Sequence, residues 1–288
     1  MFKYAGVVVL YNPALDVKDN IDSYINIIDK LFVIDNSNLL NASLIDTLCL
    51  NQKIEYVSLN GNQGLAKALK IGCERARDEG FDYVLTMDQD SYFKGSTAKY
   101  IIDFIEKSKE HYAMIASNAI SIYEDEKTGE IKEAFTEISG NNKECNWVMT
   151  SGSMMCIKDY VMTSGIDDSL FIAHIDIDIC IKLNLCGGKI IKLHKAKLYQ
   201  KFGNSKPRRF LWKTVHPSFA NPDRTYYIFR NQNYLEKKYP KHKSFIGVRL
   251  YKFLVKIIFF EDQKLKKLYM ACIGIIDAKR GRMGKCRY

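Results

Sequence analysis

Several signals that would place a 288-residue chain in a familiar class are missing from this sequence. The eight cysteines form no Cys-x-x-Cys pair and no zinc-like spacing, which argues against a zinc module. Several lie inside apolar runs, so we expect reduced thiols in a cytosolic protein. No run approaches the roughly 20 apolar residues of a spanning helix. The apolar stretch at 4–11 is short and lacks a cleavage-like sequence, so we expect no signal peptide. There are no repeats or low-complexity tracts.

Acidic residues are scarce in the last third of the chain. Residues 201–288 hold 22 Lys and Arg against 5 Asp and Glu, whereas residues 1–200 hold 21 against 28. This asymmetry predicts an anionic partner for the C-terminal part, which could be nucleic acid, anionic lipid or a diphosphate. Nucleic acid is the least favoured of these, because no recognised binding motif accompanies the charge. We therefore expect no nucleic-acid partner.

Strand and helix signals alternate over the first hundred residues. Strands are predicted at Ala5–Tyr11, Leu31–Asp35, 53–58 and 81–88, with helices at 16–29 and 64–79. Valine-rich runs of this kind are typical of buried parallel strands. The βαβαβαβ order predicts an α/β fold with a doubly wound, mostly parallel central sheet and helices on both faces.

The rest of the chain continues this pattern and then changes to helices. We predict a helix at 96–110, a strand at Ala113–Ser117, an exposed hairpin within 119–145, a return to the core at Trp147–Cys156, a helix at 174–187 and a final strand at Lys189–Leu193. A basic loop at Gly203–Pro222 follows. From about Asp223 onward the chain is predicted to be a helical extension.

Two carboxylates one residue apart follow the apolar strand that ends near residue 88. Alternate side chains of a strand point the same way, so Asp88 and Asp90 are expected to converge on one cation. Mg²⁺ or Mn²⁺ takes one or two carboxylates and leaves other positions for substrate phosphates. Ligands of open α/β sheets also bind at the carboxyl ends of strands. The alternative is an ordinary polar turn.

Other strand ends supply candidate nucleotide-binding residues. Tyr11 and Asn12 close the first strand, and Asp35 closes the second, where its carboxylate could accept from a pyrimidine N–H or a ribose hydroxyl. Asn62 and Gly64 precede a helix whose backbone N–H groups favour an anion. Taken singly, these residues are also ordinary turn formers or caps.

The ordered set of motifs resembles glycosyltransferase family 2, in particular its bacterial dTDP-rhamnose-dependent rhamnosyltransferases. The matching segments are 8–13, 33–37, 62–69, 85–93, 150–152, 170–172, 176–180, 224–231 and 281–285. The resemblance implies a GT-A fold and inverting, metal-assisted transfer from a nucleotide sugar. It also suggests a catalytic domain at 1–222, with a nucleotide-sugar half at about 1–95 and an acceptor half at about 96–222, followed by a basic, amphipathic extension at 223–288.

Inversion by single displacement needs one base to take the proton of the acceptor hydroxyl. Asp176 and Asp178 are the candidates, and on a helix their side chains point to different sides. Asp178 has Lys182 four residues later, which predicts a surface pair. Asp176 has no such partner and occupies the last position of the family's Glu-Asp pair, with Ile175 replacing the Glu. We favour Asp176 as the base and keep Asp178 as the alternative.

The leaving diphosphate needs positive charge besides the cation. Arg224 and Arg230 are candidates, although their spacing on a helix suggests that one contacts phosphate and the other pairs structurally. Related enzymes often place a His after the last strand, where this chain has Gln200. Either Gln200 contributes or His216 substitutes as a metal ligand. Ala173 stands where rhamnosyltransferases commonly carry Asp, a departure that keeps another donor sugar as an alternative.

The segment Phe245–Leu268 predicts a basic amphipathic helix. Arg249, Lys252 and Lys256 recur at helical spacing, with Lys264 and Lys267 near the same stripe. Such a helix is typical of anionic membrane interfaces, and the alternative is a helix docked on the catalytic domain or on a mate in a homodimer.

We expect a cytoplasmic enzyme, peripheral at the inner face of the cell membrane. Its expected role is to extend a lipid-linked or oligosaccharide acceptor of a surface polysaccharide. A UDP-hexose donor is one alternative. A nucleotidyltransferase is less favoured, because no glycine-rich basic loop follows the first strand.

Overall fold

The computed structural model of the chain describes residues 1–124, 128–136, 140–201, 208–210, 213–215, 219–246 and 250–288. Two compact units make up this part of the chain. The first comprises Met1–Asp168 and Asp176–Lys201, and the second comprises Ser169–Ile175 and the described residues after Lys201. The functional division predicted at residue 222 stays a prediction, because compactness alone does not define a functional domain.

The first unit carries the alternating elements. In chain order they are β1 (Tyr4–Leu10), α1 (Val17–Asp22), β2 (Lys30–Asp35), α2 (Ala42–Cys49), β3 (Ile54–Ser58), α3 (Leu65–Asp78), β4 (Tyr83–Asp88), β5 (Ser91–Phe93), α4 (Lys99–Lys107), β6 (Met114–Glu124), β7 (Ile131–Thr136), β8 (Lys143–Glu144), β9 (Ser153–Cys156), α5 (Ile157–Met162), α6 (Ile175–Leu185, whose first residue belongs to the second unit) and β10 (Ile190–Lys201).

The strands form one sheet in the order β3-β2-β1-β4-β9-β6-β10-β5. The run β3-β2-β1-β4 is parallel, as is the pair β6 and β10, while β9 lies antiparallel between β4 and β6. The α/β prediction is confirmed. Because β1, β2 and β4 run in one direction, their carboxyl ends, at residues 10, 35 and 88, meet at the same edge of the sheet.

Helices cover both faces of this sheet. Val8 and Leu10 of β1 belong to a core cluster that also contains Val17 and Ile21 of α1. The opposite face is packed by α3, where a Cβ built on Gly72 would lie only 2.4 Å from a methyl carbon of Val7. Glycine therefore allows α3 to approach the sheet closely, as a doubly wound fold requires.

Three sequence predictions need correction in this unit. Strand β6 continues to Glu124, and Ile120 and Ile122 are buried, so the predicted exposed hairpin begins on a core strand. It does pair with β7. Strand β10 continues past Leu193 to Lys201. Its pairing with β6 shifts register between Leu193 and Lys197, and this polar stretch is where the predicted strand ended. The helix predicted at 16–29 is α1 followed by a 3₁₀ turn at Ile25–Ile27.

The second unit contains β11 (Arg208–Phe210), β12 (Lys213–Val215), α7 (Pro222–Lys238), α8 (Lys243–Ile246), α9 (Leu250–Phe260) and α10 (Lys264–Lys279). The short β11 and β12 pair antiparallel within the segment predicted to be a loop. Helix α10 packs closely on α7. At Gly274, an added Cβ would lie only 2.6 Å from the carbonyl oxygen of Tyr226. The hydroxyl of Tyr226 donates to Asp277 at 2.9 Å.

Candidate functional site

The loop after β1 is tied to its neighbours at the carboxyl edge of the sheet. The backbone N–H of Tyr11 donates to Oε1 of Gln89 at 2.8 Å, and the Gln89 amide donates back to the Tyr11 carbonyl at 3.2 Å. The backbone N–H of Asn12 donates to Oγ of Ser37 at 2.7 Å. Asn12 has a φ of 45°, a conformation that Asn tolerates better than most residues. The predicted residue Tyr11 therefore lies beside the turn after β4, and Asn12 lies beside the end of β2.

Asp35 lies at this edge but is buried and already has partners. One carboxylate oxygen accepts from the backbone N–H of Ser37 at 2.8 Å, and the other accepts from the hydroxyl of Tyr56 at 2.8 Å. Burial and this hydrogen bond raise the pKa of Tyr56, so the phenol stays protonated as the donor. A carboxylate oxygen can accept a second hydrogen bond. Asp35 could therefore contact a nucleotide only through an oxygen that already accepts from Ser37 or Tyr56.

The start of α3 completes this side of the site. Oδ1 of Asn62 accepts from the backbone N–H of Gly64 at 3.0 Å and from the side chain of Asn36 at 3.2 Å. Gly64 is the N-cap residue and has a φ of 95°, which a residue with a side chain would adopt only with strain. Asn62 therefore shapes the turn that presents the positive end of α3.

Asp88 and Gln200 meet in the adjacent corner. Asp88 ends β4, and one of its carboxylate oxygens accepts from the Gln200 amide at 2.8 Å. Oε1 of Gln200 is buried and has no hydrogen-bond partner among the described residues. The Asp88 backbone N–H donates to the hydroxyl of Ser151 at 3.1 Å. A Cβ on the next residue, Gly152, would lie 2.2 Å from Oγ of Ser117, so only glycine fits there.

Asp90 does not continue the strand, and this corrects the geometric basis of its prediction. The chain turns at Gln89 before β5, and Asp90 is an exposed residue of that turn. The turn is held by the Asn20 side chain, which donates to the Gln89 carbonyl at 2.8 Å. Convergence of Asp88 and Asp90 on one cation would therefore depend on the turn rather than on the alternation of side chains along a strand.

The donors in this corner fit a hard divalent cation. Asp88 offers a carboxylate there, and Gln200 offers an amide oxygen that is buried without a hydrogen-bond partner among the described residues. Asp90, two residues after Asp88 along the chain, is a further candidate carboxylate. Mg²⁺ and Mn²⁺ prefer oxygen ligands, and a buried carbonyl left without a hydrogen bond would gain from coordination. His216, the other predicted ligand, lies outside the described residues.

The two candidate bases have different environments. Asp176 lies in the first turn of α6 and is partly exposed, and its Oδ1 accepts from the backbone N–H of Ile177 at 2.9 Å. Asp178 is 1% exposed and forms a 2.7 Å ion pair with Lys182, which also donates to the Gly165 carbonyl at 2.6 Å. The pairing was predicted correctly, but its location on the surface was wrong, because α6 is apolar on most sides.

Arg230 is buried, and its guanidinium contacts backbone carbonyls rather than solvent. Its guanidinium donates to the carbonyl oxygens of Gly284 at 2.5 Å, Ser169 at 3.2 Å and Leu170 at 2.9 Å. Because these N–H donors point at backbone carbonyls, Arg230 fits the structural role that was predicted for one of the two arginines. Arg224 is exposed in the first turn of α7.

The segment held by Arg230 leads directly into α6. The Asn231 amide donates to the carbonyls of Leu170, Ile172 and Ala173 at 3.0, 2.8 and 2.9 Å. Three non-glycine residues here have positive φ: Phe171, Ala173 and His174. Each such conformation costs of the order of 1 kcal/mol. Burial also lowers the pKa of His174 to about 4, so its ring stays neutral.

Gln89, Ser151 and Asn231 have contacts that sequence reasoning did not assign. All three lie inside the motifs that carry the family resemblance, so the motifs mark them, but their partners are distant in sequence. Asn231, for example, lies 58 residues from Ala173 along the chain. Only the folded chain shows which groups they contact.

The chain is similar in sequence to enzymes that transfer sugars. Residues 7–163 match the sequence model described as Glycosyl transferase family 2. The chain is 24% identical to the dTDP-rhamnosyl transferase RfbF of Shigella flexneri, over 98% of this chain and 97% of that protein.

Two solved structures share the fold. The crystal structure of GalNAc-T7 with UDP, GalNAc and Mn²⁺ superposes with a TM-score of 0.57 at 14% identity, covering 88% of this chain and 53% of the other. The crystal structure of S. aureus TarS 1-349 gives a TM-score of 0.52 at 13% identity, covering 97% and 72%. The chain thus spans about half the length of GalNAc-T7.

Proposed function

Because the chain belongs to glycosyl transferase family 2, we propose that it moves L-rhamnose from dTDP-rhamnose to a hydroxyl of an oligosaccharide or lipid-linked acceptor. The GT-A fold and the transferase class are established by the family match and the structural neighbours. The observation that carries the proposal is the corner at the end of β4. There the Gln200 amide donates to Asp88, and the buried Gln200 oxygen has no partner within the described part of the chain.

The donor nucleotide is proposed to bind along the carboxyl ends of β1, β2 and β4. Tyr11 and Asn12 border this edge, and the first turn of α3 after Gly64 offers backbone N–H groups to phosphate. Asp35 would recognise the base or the ribose by accepting one further hydrogen bond. These contacts bind the part of the donor that does not react.

The cation is proposed to be Mg²⁺ or Mn²⁺, held by Asp88, Asp90 and the Gln200 oxygen. Mn²⁺ is present in the GalNAc-T7 structure. When bound, such an ion supplies charge that stabilises the departing diphosphate. The protein's own part is to keep the three oxygen donors together, which Ser151 supports by holding the Asp88 backbone and Gln89 by holding the turn.

Transfer with inversion is proposed to use Asp176 as the general base. The acceptor oxygen bonds to the anomeric carbon while the bond from that carbon to the phosphate oxygen breaks, and the acceptor proton passes to the Asp176 carboxylate. Asp176 suits this role because it is partly exposed. Asp178 does not, because its buried ion pair with Lys182 holds the carboxylate in the helix packing.

The two arginines should respond differently to substitution. We expect Arg224→Ala to raise the donor KM about tenfold, because an exposed guanidinium proposed to contact the diphosphate contributes a charge-assisted hydrogen bond. Arg230→Lys should instead lower the melting temperature and kcat with little change in donor KM, because one ammonium cannot replace three directed contacts. Donor titration calorimetry and thermal unfolding distinguish the two; equal behaviour would contradict this division of roles.

The acceptor and the location complete the proposal. We propose that the enzyme builds a surface polysaccharide and works in the cytoplasm, peripheral to the inner face of the cell membrane, where a lipid-linked acceptor is available. None of the eight cysteines forms a disulfide among the residues that the structure describes. In the part of the chain that the structure describes, no helix has the length and apolarity to cross a membrane.

A donor screen tests this function. The purified chain is incubated with dTDP-rhamnose, UDP-hexoses and GDP-mannose, with Mn²⁺, and release of nucleoside diphosphate is measured. We expect turnover with dTDP-rhamnose. Turnover only with a UDP-hexose would establish the alternative donor, which the UDP in the GalNAc-T7 structure and Ala173 both motivate. Release from no donor, with or without acceptor sugars, would contradict the proposal.

A further inference from the structure

Helix α9 exposes an apolar face to solvent. Tyr251, Val255, Ile258 and Phe259 are 59%, 46%, 45% and 61% exposed, and their spacing places them on one side of the helix. Ile257, on the other side, is fully buried. Soluble proteins rarely leave large apolar side chains grouped in this way unless something covers them.

This face differs from the stripe expected from sequence alone. Lys267 was expected to join the basic stripe but is 1% exposed, and it is paired with Glu261 at 3.0 Å and Asp262 at 2.7 Å. Arg249 lies outside the described residues. The basic residues that accompany the face are Lys252 and Lys256 on α9, with exposed Lys264 and Lys266 at the start of α10.

The charge around the face is positive. Glu261 and Asp262 follow α9 directly, and both are engaged by Lys267. Residues 252–267 carry five lysines against these two carboxylates, so the net charge around the face is positive. A surface that combines an apolar face with flanking lysines is complementary to a layer that is apolar inside and anionic outside.

We propose that α9 lies in the interface of an anionic lipid bilayer, with its apolar face in the acyl boundary and its lysines at the lipid phosphates. Its 11 residues span about 16 Å, well short of the roughly 30 Å hydrocarbon core, so the helix lies along the surface. A second copy fits less well, since two-fold pairing of this face would bring Lys252 and Lys256 of one copy against those of the other.

The proposed membrane contact of α9 does not depend on the catalytic proposal, so it is tested by vesicle binding alone. Full-length protein is floated with vesicles of phosphatidylcholine, with or without phosphatidylglycerol. We expect flotation only with the anionic vesicles. Lys252→Gln combined with Lys256→Gln should lower the partition coefficient about 30-fold, since each basic residue contributes about 1 kcal/mol near such a surface. Ile258→Asn combined with Phe259→Asn should abolish flotation.

A matched control removes exposed apolar side chains elsewhere. Leu50 and Met162 in the first unit are 83% and 71% exposed, so Leu50→Asn combined with Met162→Asn should float as the unaltered chain does. Circular dichroism checks that each variant is folded. As a second measurement, the fluorescence added by Phe259→Trp should be quenched by brominated lipids in the anionic vesicles.

Three results would overturn the proposal. The first is flotation that the α9 substitutions leave unchanged. The second is absence of flotation together with a dimer, seen by light scattering, that Ile258→Asn with Phe259→Asn dissociates, because then a second copy covers the face. The third is absence of both flotation and quenching.

Discussion

Asp176→Asn is expected to reduce transfer by a factor of about 10² to 10⁴ while leaving donor binding nearly unchanged. A general base contributes a factor of this size, and the amide cannot accept the acceptor proton. The substitution preserves shape, and Asp176 is only partly buried, so folding should be little affected. The measurements are kcat at saturating donor and acceptor, and calorimetric titration with dTDP. Normal turnover in the variant would show that Asp176 is not the base.

Asp178→Asn is the matched control for this experiment, because it makes the same chemical change two residues away. Here the loss should appear in stability. The variant leaves the buried ammonium of Lys182 without its partner, which typically costs about 3–5 kcal/mol. Thermal unfolding should therefore show a lower melting temperature, while the folded fraction keeps its turnover. The opposite pattern, a stable variant without activity, would transfer the base role to Asp178.

Removal of the divalent ion should abolish activity, and Asp90→Ala should raise the Mn²⁺ concentration needed for half-maximal activity about 100-fold or more. Asp90, in the exposed turn after β4, is proposed to contribute one of few oxygen donors, so its loss would leave Asp88 and the Gln200 carbonyl to bind the ion. Activity is measured after treatment with EDTA and during readdition of Mg²⁺ or Mn²⁺. Mn²⁺ titration in the presence of dTDP gives the affinity directly.

Asp46→Ala serves as the control, since Asp46 is an exposed carboxylate in α2 that belongs to no proposed site. It should show the same Mn²⁺ dependence as the unaltered chain. Full activity after exhaustive chelation would contradict a metal requirement. A metal requirement that Asp90→Ala leaves unchanged would contradict only the assignment of this ligand.

Much of the first unit was predictable because its signals are local. Apolar runs bounded by Asn, Asp and Gly predicted β1 to β4, and the alternation with helices predicted that their ends share one edge. The antiparallel course of β9 and the length of β10 were not predictable. The run Ser153–Cys156 would have the same apolar pattern in a parallel or an antiparallel strand. A register shift interrupts the pattern of β10.

The sequence by itself determined the α/β order and the family motifs, and with them the edge of the sheet where Asp88 lies. Only the tertiary structure decided the roles of individual side chains. Gln200 is 112 residues from Asp88, and Arg230 is 61 residues from Ser169, yet each pair is hydrogen-bonded. It also decided that Asp178 is buried and Asp176 is not. The apolar and polar pattern of the sequence depends on residues that are close along the chain, whereas burial and long-range partners depend on how distant segments pack.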